Sequence, residues 1–161
     1  MTTPVHFRHT KGTKKVEHMQ HTTRQAAQKM IQATAVFTVA TIDENGFPTT
    51  VALSPLPSDR HIEQLFFYTS RQTTTVKNIQ RCNRATLFCY NLTDYSSLML
   101  KGHLTLAGHE AFTTDWRNEL TPFQKRLAYH DPVILKFQTN SIKIRQMMAM
   151  DHLELLPKLD D

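Results

Sequence analysis

Cysteine is nearly absent: Cys82 and Cys89 are the only two among 161 residues, and their separation matches no metal-binding or redox spacing. A chain with so few thiols is expected to work reduced, in the cytoplasm. Glycine is scarce too, with four copies beside seven prolines, which excludes collagen-like and Pro/Gly-rich disordered chains. There is no Gly-rich phosphate loop, no Gly-x-Ser-x-Gly elbow and no His-Glu-x-x-His motif. The machinery of serine hydrolases and zinc proteases is therefore missing. No apolar run approaches the roughly 20 residues that cross a bilayer, and the stretch from Met1 to Lys15 is polar and basic. Neither a membrane span nor a secretory signal is expected. What remains is one domain's length of chain, 40% apolar, enough for a single small core.

The net charge of +5 invites a nucleic-acid reading until the charge is located. Residues 1–35 carry Arg8, Lys11, Lys14, Lys15, Arg24 and Lys29 against Glu17 alone, whereas the remainder holds 13 basic and 13 acidic groups. The body is neutral and the basicity belongs to an N-terminal arm. Nucleic-acid-binding domains concentrate cations on a folded reading surface. Nucleic acid is thus not expected as a partner of the body, and survives only as an alternative for the arm.

Apolar residues at Val16, Met19, Ala26, Ala27, Met30 and Ile31 follow helical spacing, predicting an amphipathic helix over Val16 to Thr34. The texture then changes. Val36 to Ile42 is dense in β-branched and aromatic residues and runs into Asp43-Glu44-Asn45-Gly46, whose Asn-Gly suits a tight hairpin. Thr49 to Leu53 is the predicted return strand, and Leu65 to Thr69 a third. Val76, Ile79 and Cys82 recur as in a short helix, and Ala85 to Tyr90 reads as a fourth strand. Leu98, Leu100, Leu104 and Leu106 alternate with polar neighbours in a long fifth strand, where Gly102 marks a bulge or close approach. Phe112, Trp116 and Leu120 suggest a helix, with Trp116 as a core anchor. Thr121-Pro122-Phe123-Gln124 has the capping-box pattern that starts another. Val133 to Phe137 is a sixth strand. Connections this short exclude a doubly wound parallel sheet and favour a small, mostly antiparallel barrel with peripheral helices.

The segment most suggestive of chemistry runs from Tyr68 to Asn78. It sets Thr69, Ser70, Thr73, Thr74 and Thr75, with Arg71 and Lys77, between a strand end and a helix start. Backbone N–H groups, hydroxyls and a cation at a helix N-terminus suit a phosphate. An ordinary N-capped loop accounts for the same residues, so the pattern alone leaves both readings open. His6/His9 and His18/His21 have a spacing that could seat a metal, but no Cys or carboxylate cluster joins them, and a solvated face is the expectation. His103 and His109 share the parity of one strand face, with a surface or partner-facing role expected.

Taken together, Ala40-Thr41-Ile42-Asp43-Glu44-Asn45-Gly46-Phe47-Pro48, Phe67-Tyr68-Thr69-Ser70, Lys77-Asn78-Ile79 before Asn83-Arg84-Ala85, Leu100-Lys101-Gly102, and Trp116 before Asp131 to Phe137 form an ordered set. In order and spacing this set resembles the pyridoxamine 5'-phosphate oxidase-like FMN-binding split barrels, most closely their general-stress-protein branch. The resemblance runs from about Ala35 to Phe137. It implies a mainly β (α+β) fold, a six-stranded antiparallel split barrel with peripheral helices over residues 35–161, preceded by the basic arm and helix over 1–34. It also implies a homodimer with FMN sites shared across the interface.

By the same resemblance, Thr69, Ser70 and Thr73 would meet the flavin phosphate, and Thr50, Val51, Ala52 and Leu53 would run beside the ring. Ser97 and Trp116 would approach from the other subunit. The lysine of the family's Ser-x-Lys pattern falls on Thr75, while Lys77 lies roughly 200° further round a helix. Arg71 is then the nearest cation. The second strand lacks the arginine that many members carry, and the Arg-x-His of true pyridoxamine phosphate oxidases has no counterpart. The implied function is an FMN-dependent oxidoreductase acting on an unidentified small molecule, with no side chain marked as acid or base. The alternative is a non-catalytic flavin or phosphate-ligand carrier or sensor.

Overall fold

The computed structural model describes residues 11–111 and 115–156. Helix α1 spans Lys11–Ala33. Its C-terminal half buries Thr23, Ala27 and Ile31, a stripe at i, i+4, i+8 that lies against the barrel. The Gln28 side chain fixes it there, donating to Arg60 O at 2.7 Å and accepting from Ile62 N at 2.9 Å. Arg60 in turn donates to Leu56 O and Thr34 O, both at 3.0 Å, which binds the loop after the second strand to the end of α1. His18 and His21 are exposed on α1. His6 and His9 lie outside the described residues.

Strands β1 (Phe37–Ile42) and β2 (Pro48–Leu53) form the first hairpin. The connection is longer than the tight two-residue turn that Asn-Gly suggests. Gly46 N donates to Asp43 O at 3.1 Å, Asp43 N to Phe47 O at 2.9 Å, and only Gly46 takes a positive φ, +84°. This is a turn followed by a glycine bulge, and Asp43 steadies it by accepting from Asn45 N and Phe47 N, each at 2.9 Å.

Next come β3 (Gln64–Ser70), α2 (Thr74–Arg81), β4 (Arg84–Tyr90) and β5 (Ser97–Leu106). Two 3₁₀ turns, His109–Ala111 and Trp116–Glu119, stand where the Phe112 spacing predicts a helix, and Phe112 itself lies outside the described residues. His109 therefore belongs to a turn and not to the β5 face. Helix α3 (Pro122–Leu127) begins with the expected capping box, Thr121 Oγ1 accepting from Gln124 N at 3.1 Å and Gln124 Oε1 from Thr121 N at 3.0 Å.

Strand β6 runs over Pro132–Gln146, nine residues beyond the predicted sixth strand, and a seventh strand, β7 (Ala149–Glu154), follows it. The periodicity hides this extension because a bulge resets it. Val133, Leu135 and Phe137 face the interior at odd positions, whereas Ile142 and Ile144 do so at even ones. All pairings are antiparallel, in the order β2-β1-β4-β5-β6-β3, with β7 also on β6. The two ends of this order, β2 and β3, touch through a Pro55–Phe67 bridge and a Leu56 N to Phe66 O bond of 2.8 Å. The sheet stays open along that seam: a split barrel of seven strands.

The interior holds Phe37, Phe67 and Phe137, all fully buried, with Phe37 and Phe67 edge to face at 6.1 Å. Full burial of such a side chain contributes about 1.5–3 kcal/mol. A second core sits on the other face of β3 and β6, where Leu56, Phe66, Tyr68, Trp116 and Ile134 pack together. Trp116 is the anchor of this layer, 5.7 Å from the Tyr68 ring.

Candidate functional site

Thr73 caps α2, its Oγ1 accepting from Val76 N at 3.4 Å while donating to Ser70 O at 3.0 Å. Thr73 N also donates to Ser70 O, at 3.2 Å, and Ser70 Oγ accepts from Gln72 N at 3.4 Å. The loop is thus folded on itself by its own hydroxyls, as the N-capped reading requires. Below it, Asn78 is 1% exposed and donates 3.0 Å bonds to both Thr41 Oγ1 and Thr49 Oγ1. Its Oδ1 accepts from Arg81 at 2.9 Å. Asn78 therefore straps α2, and with it the Ser70–Thr73 loop, onto the β1–β2 hairpin and across the open seam.

That strap brings two of the predicted groups together. The segment after β2 meets β3 at the Pro55–Phe67 bridge, while β2 and β3 themselves do not pair. β2 is the outermost strand, with Thr50, Val51 and Ala52 exposed and only Leu53 buried. An edge strand presents unpaired N–H and C=O groups.

The individual residues divide sharply. Thr69 and Thr75 are buried, at 2% and 8% exposure, so their hydroxyls belong to the wall of the seam and not to its surface. Ser70 and Thr73 are partly exposed, and Lys77 points outward from α2. Arg71 is not a free cation: its Nε lies 3.5 Å from Asp131 Oδ2, and its N–H donates to Asp131 O at 2.9 Å. Half-exposed pairs of this kind contribute about 0–1 kcal/mol, so an anion could exchange with Asp131 at small cost. Trp116 reaches β3 from its own chain, with Arg117 stacked 4.6 Å from its ring centroid. Ser97 stands apart. It begins β5, whereas the strand's other end, Leu106, faces β6 near the loop, and ten strand residues span about 30 Å.

Asn78 and Asp131 are the residues around the candidate site that composition and spacing do not single out. Both lay inside quoted motifs, but nothing local marks Asn78 as a strap or Asp131 as the partner of Arg71. Burial holds the Cys89 thiol above its ordinary range, which suppresses it as a nucleophile. Among the described residues no three of His, Cys, Asp and Glu are grouped to hold a metal ion, and no helix is long and apolar enough to cross a membrane.

The sequence profile of the family described as pyridoxamine 5'-phosphate oxidase matches residues 23–147. The chain belongs to this family. No curated protein sequence matches it. Among solved structures, a Clostridium acetobutylicum protein related to general stress protein 26 of B. subtilis superposes with a TM-score of 0.69 at 17% identity, covering 83% of this chain and 95% of that one. General stress protein 26 of Bacillus anthracis gives 0.66 at 14% identity, over 83% and 98% of the two chains. A heme binding protein of Mycobacterium smegmatis gives 0.65 at 13% identity, over 80% of this chain and 56% of that one. At these identities the likeness is one of fold. The fold is thus shared by general stress proteins and by a heme binding protein.

Proposed function

We propose that this member of the pyridoxamine 5'-phosphate oxidase family binds FMN along the β2–β3 seam and acts as a flavin-dependent oxidoreductase on a small molecule. The observation that carries the reading is the juxtaposition of an exposed edge strand, Thr50–Ala52, with a hydroxyl-rich loop at the start of α2. The unpaired backbone of β2 suits the amide-like edge of an isoalloxazine. Ser70, Thr73 and the first N–H groups of α2 suit the phosphate, with Arg71 released from Asp131 to join them. The donor set fits through hydroxyl and N–H groups more than through standing charge. A haem is the poorer fit to the seam: residues 49–53 and 69–77 contain no His, Cys, Met or Tyr to serve as an axial ligand.

When bound, the flavin supplies the redox chemistry. The chain's residues hold and orient it. Asn78 keeps the loop and β2 at a set separation, Leu53 and Thr69 wall the seam against water, and Trp116 backs the strand that carries the loop. The second copy implied by the resemblance would cover the aromatic end of the β4–β7 outer face, where Phe88, Tyr90 and Met150 are exposed. A twofold contact there would be self-complementary.

Titrating flavin-free protein with FMN tests this. Quenched flavin fluorescence and a raised melting temperature are expected, since ligand at about a hundred times Kd stabilises by about 2.7 kcal/mol. No change in either would overturn the flavin reading. Reduction of the bound flavin by NADH or NADPH, with reoxidation by an acceptor, supports an oxidoreductase. Binding without reduction by either donor supports the carrier or sensor. Light scattering that reports only 18.6 kDa, with and without FMN, would remove the homodimer.

A further inference from the structure

A concavity on the outer face of the sheet is built from residues that the seam does not use. Arg84 of β4 and Lys101 and His103 of β5 line a cavity of about 590 Å³, beside the small apolar surface of Ala40, Ile42 and Pro48. Its volume falls within the roughly 300–1,000 Å³ of small-molecule sites. No carboxylate lines it, and neither Arg84 nor Lys101 has an ion-pair partner among the described residues. Glu154, opposite Ser141 in the ladder, is bonded to His152 at 2.6 Å. In a body whose charges otherwise balance, this is a local excess of cations around a hollow.

Solvated surface cations would need no further explanation. The backbone beneath these does. Lys101 pairs with Ser141 but Gly102 with Thr139, which leaves Asn140 as the extra residue of a bulge. A Cβ on Gly102 would stand 2.0 Å from Gln138 O, so the strands approach here as only glycine permits. The bulge turns Asn140 towards β5, where its Oδ1 lies 3.1 Å from His103 Nδ1. This contact holds the imidazole ring against the bulge. The fold thus orients the imidazole in the same hollow that holds the two cations.

We infer that this cavity binds a small organic anion, a carboxylate or phosphate on a flat apolar body. The body lies on Ala40, Ile42 and Pro48 beside the His103 ring, and Arg84 and Lys101 take the charge. The inference does not rest on the flavin, since no residue of 49–53 or 69–77 lines the cavity.

The test titrates the full, isotope-labelled chain with benzoate, phenyl phosphate and benzamide, followed by NMR. At least one of the two anions should shift the amides around Arg84, Lys101 and His103 and bind about tenfold tighter than neutral benzamide. Which of the two binds tighter tells a carboxylate from a phosphate ligand. Arg84→Gln and Lys101→Met, both at exposed positions, should each weaken that anion about fivefold or more with the melting temperature unchanged. Equal affinity for benzamide and both anions, or undiminished binding in the double variant, would overturn the inference. Repeating the titration with FMN separates the two sites. Unchanged anion affinity supports a second site, and competition gives the cavity to the flavin and overturns it. Should FMN not bind at all, the anion titration reads as before.

Discussion

Asn78→Ala should loosen α2 from the first hairpin and lower the stability of the whole barrel. The side chain is 1% exposed and supplies the hydrogen bonds to Thr41 Oγ1 and Thr49 Oγ1. A buried neutral hydrogen bond contributes about 0.5–1.5 kcal/mol net, so losing two costs about 1–3 kcal/mol. Thr41 is itself 3% exposed and has little access to water as a substitute. The bond from Arg81 is partly exposed and adds little. The expected loss is about 2–3 kcal/mol, which for a domain of this size lowers the melting temperature by about 4–12 °C. Urea unfolding of the wild type, Asn78→Ala, Thr49→Val and the double variant gives the coupling directly, and about 0.5 kcal/mol or more is expected. Strict additivity, or a loss under about 1 kcal/mol for Asn78→Ala, would refute the strap. If the strap holds the seam, Asn78→Ala should also weaken FMN binding, whereas the comparably destabilising Ile31→Ala on α1 should not.

Trp116→Ala removes the anchor of that second core and should cost about 3–5 kcal/mol, read by circular dichroism in denaturant; a loss under about 1.5 kcal/mol would contradict its anchoring role. Met147 sits at φ +52° and is 83% exposed, so Met147→Gly should relieve strain and raise stability by about 0.5–1 kcal/mol, and a fall in melting temperature would count against this. Iodoacetamide should label the partly exposed Cys82 in the native protein and reach the buried Cys89 only in denaturant, which peptide mass spectrometry reads directly.

Much of the barrel was legible because its strands alternate and its turns are chemically marked. Strands β1 to β5, α2 and the Thr121 capping box appear within a residue or two of where the pattern puts them. The longest miss comes from a backbone feature that breaks a period. The bulge at Asn140 moves the interior face of β6 from odd to even positions, so a 15-residue strand reads as five. β7 offers only Leu153 to the core, too little for a pattern. For the site, the hydroxyl loop and edge strand were legible, but pairings between distant residues were not. Arg71 with Asp131, Asn78 with Thr41 and Thr49, and His103 with Asn140 join segments far apart in sequence, and no local spacing encodes them.

The distribution of apolar faces decides where a partner can dock. The alternation in β3 leaves Phe66 and Tyr68 on the face away from the barrel interior, where they need cover. The chain covers them itself. Trp116, Ala111, Leu120 and Tyr129 pack over that face, leaving Phe66 and Tyr68 at 2% and 7% exposure. Because β3 is buried on both sides, it is held more rigidly than an end strand with one free face would be, and it is the strand that carries the hydroxyl loop. Among the strand aromatics the exposed ones are on β4 instead, where Phe88 and Tyr90 pair at 6.1 Å at 38% and 62% exposure. The second copy proposed above would therefore dock on the β4–β7 face and not on β3. In the ladder that runs through β4 and β5, Phe88 stands opposite Met99 and Tyr90 opposite Ser97, while Arg84 and His103 pair at the other end. A dimer seated on the aromatic rows would leave the cationic end of that face at its rim, still open to a small ligand.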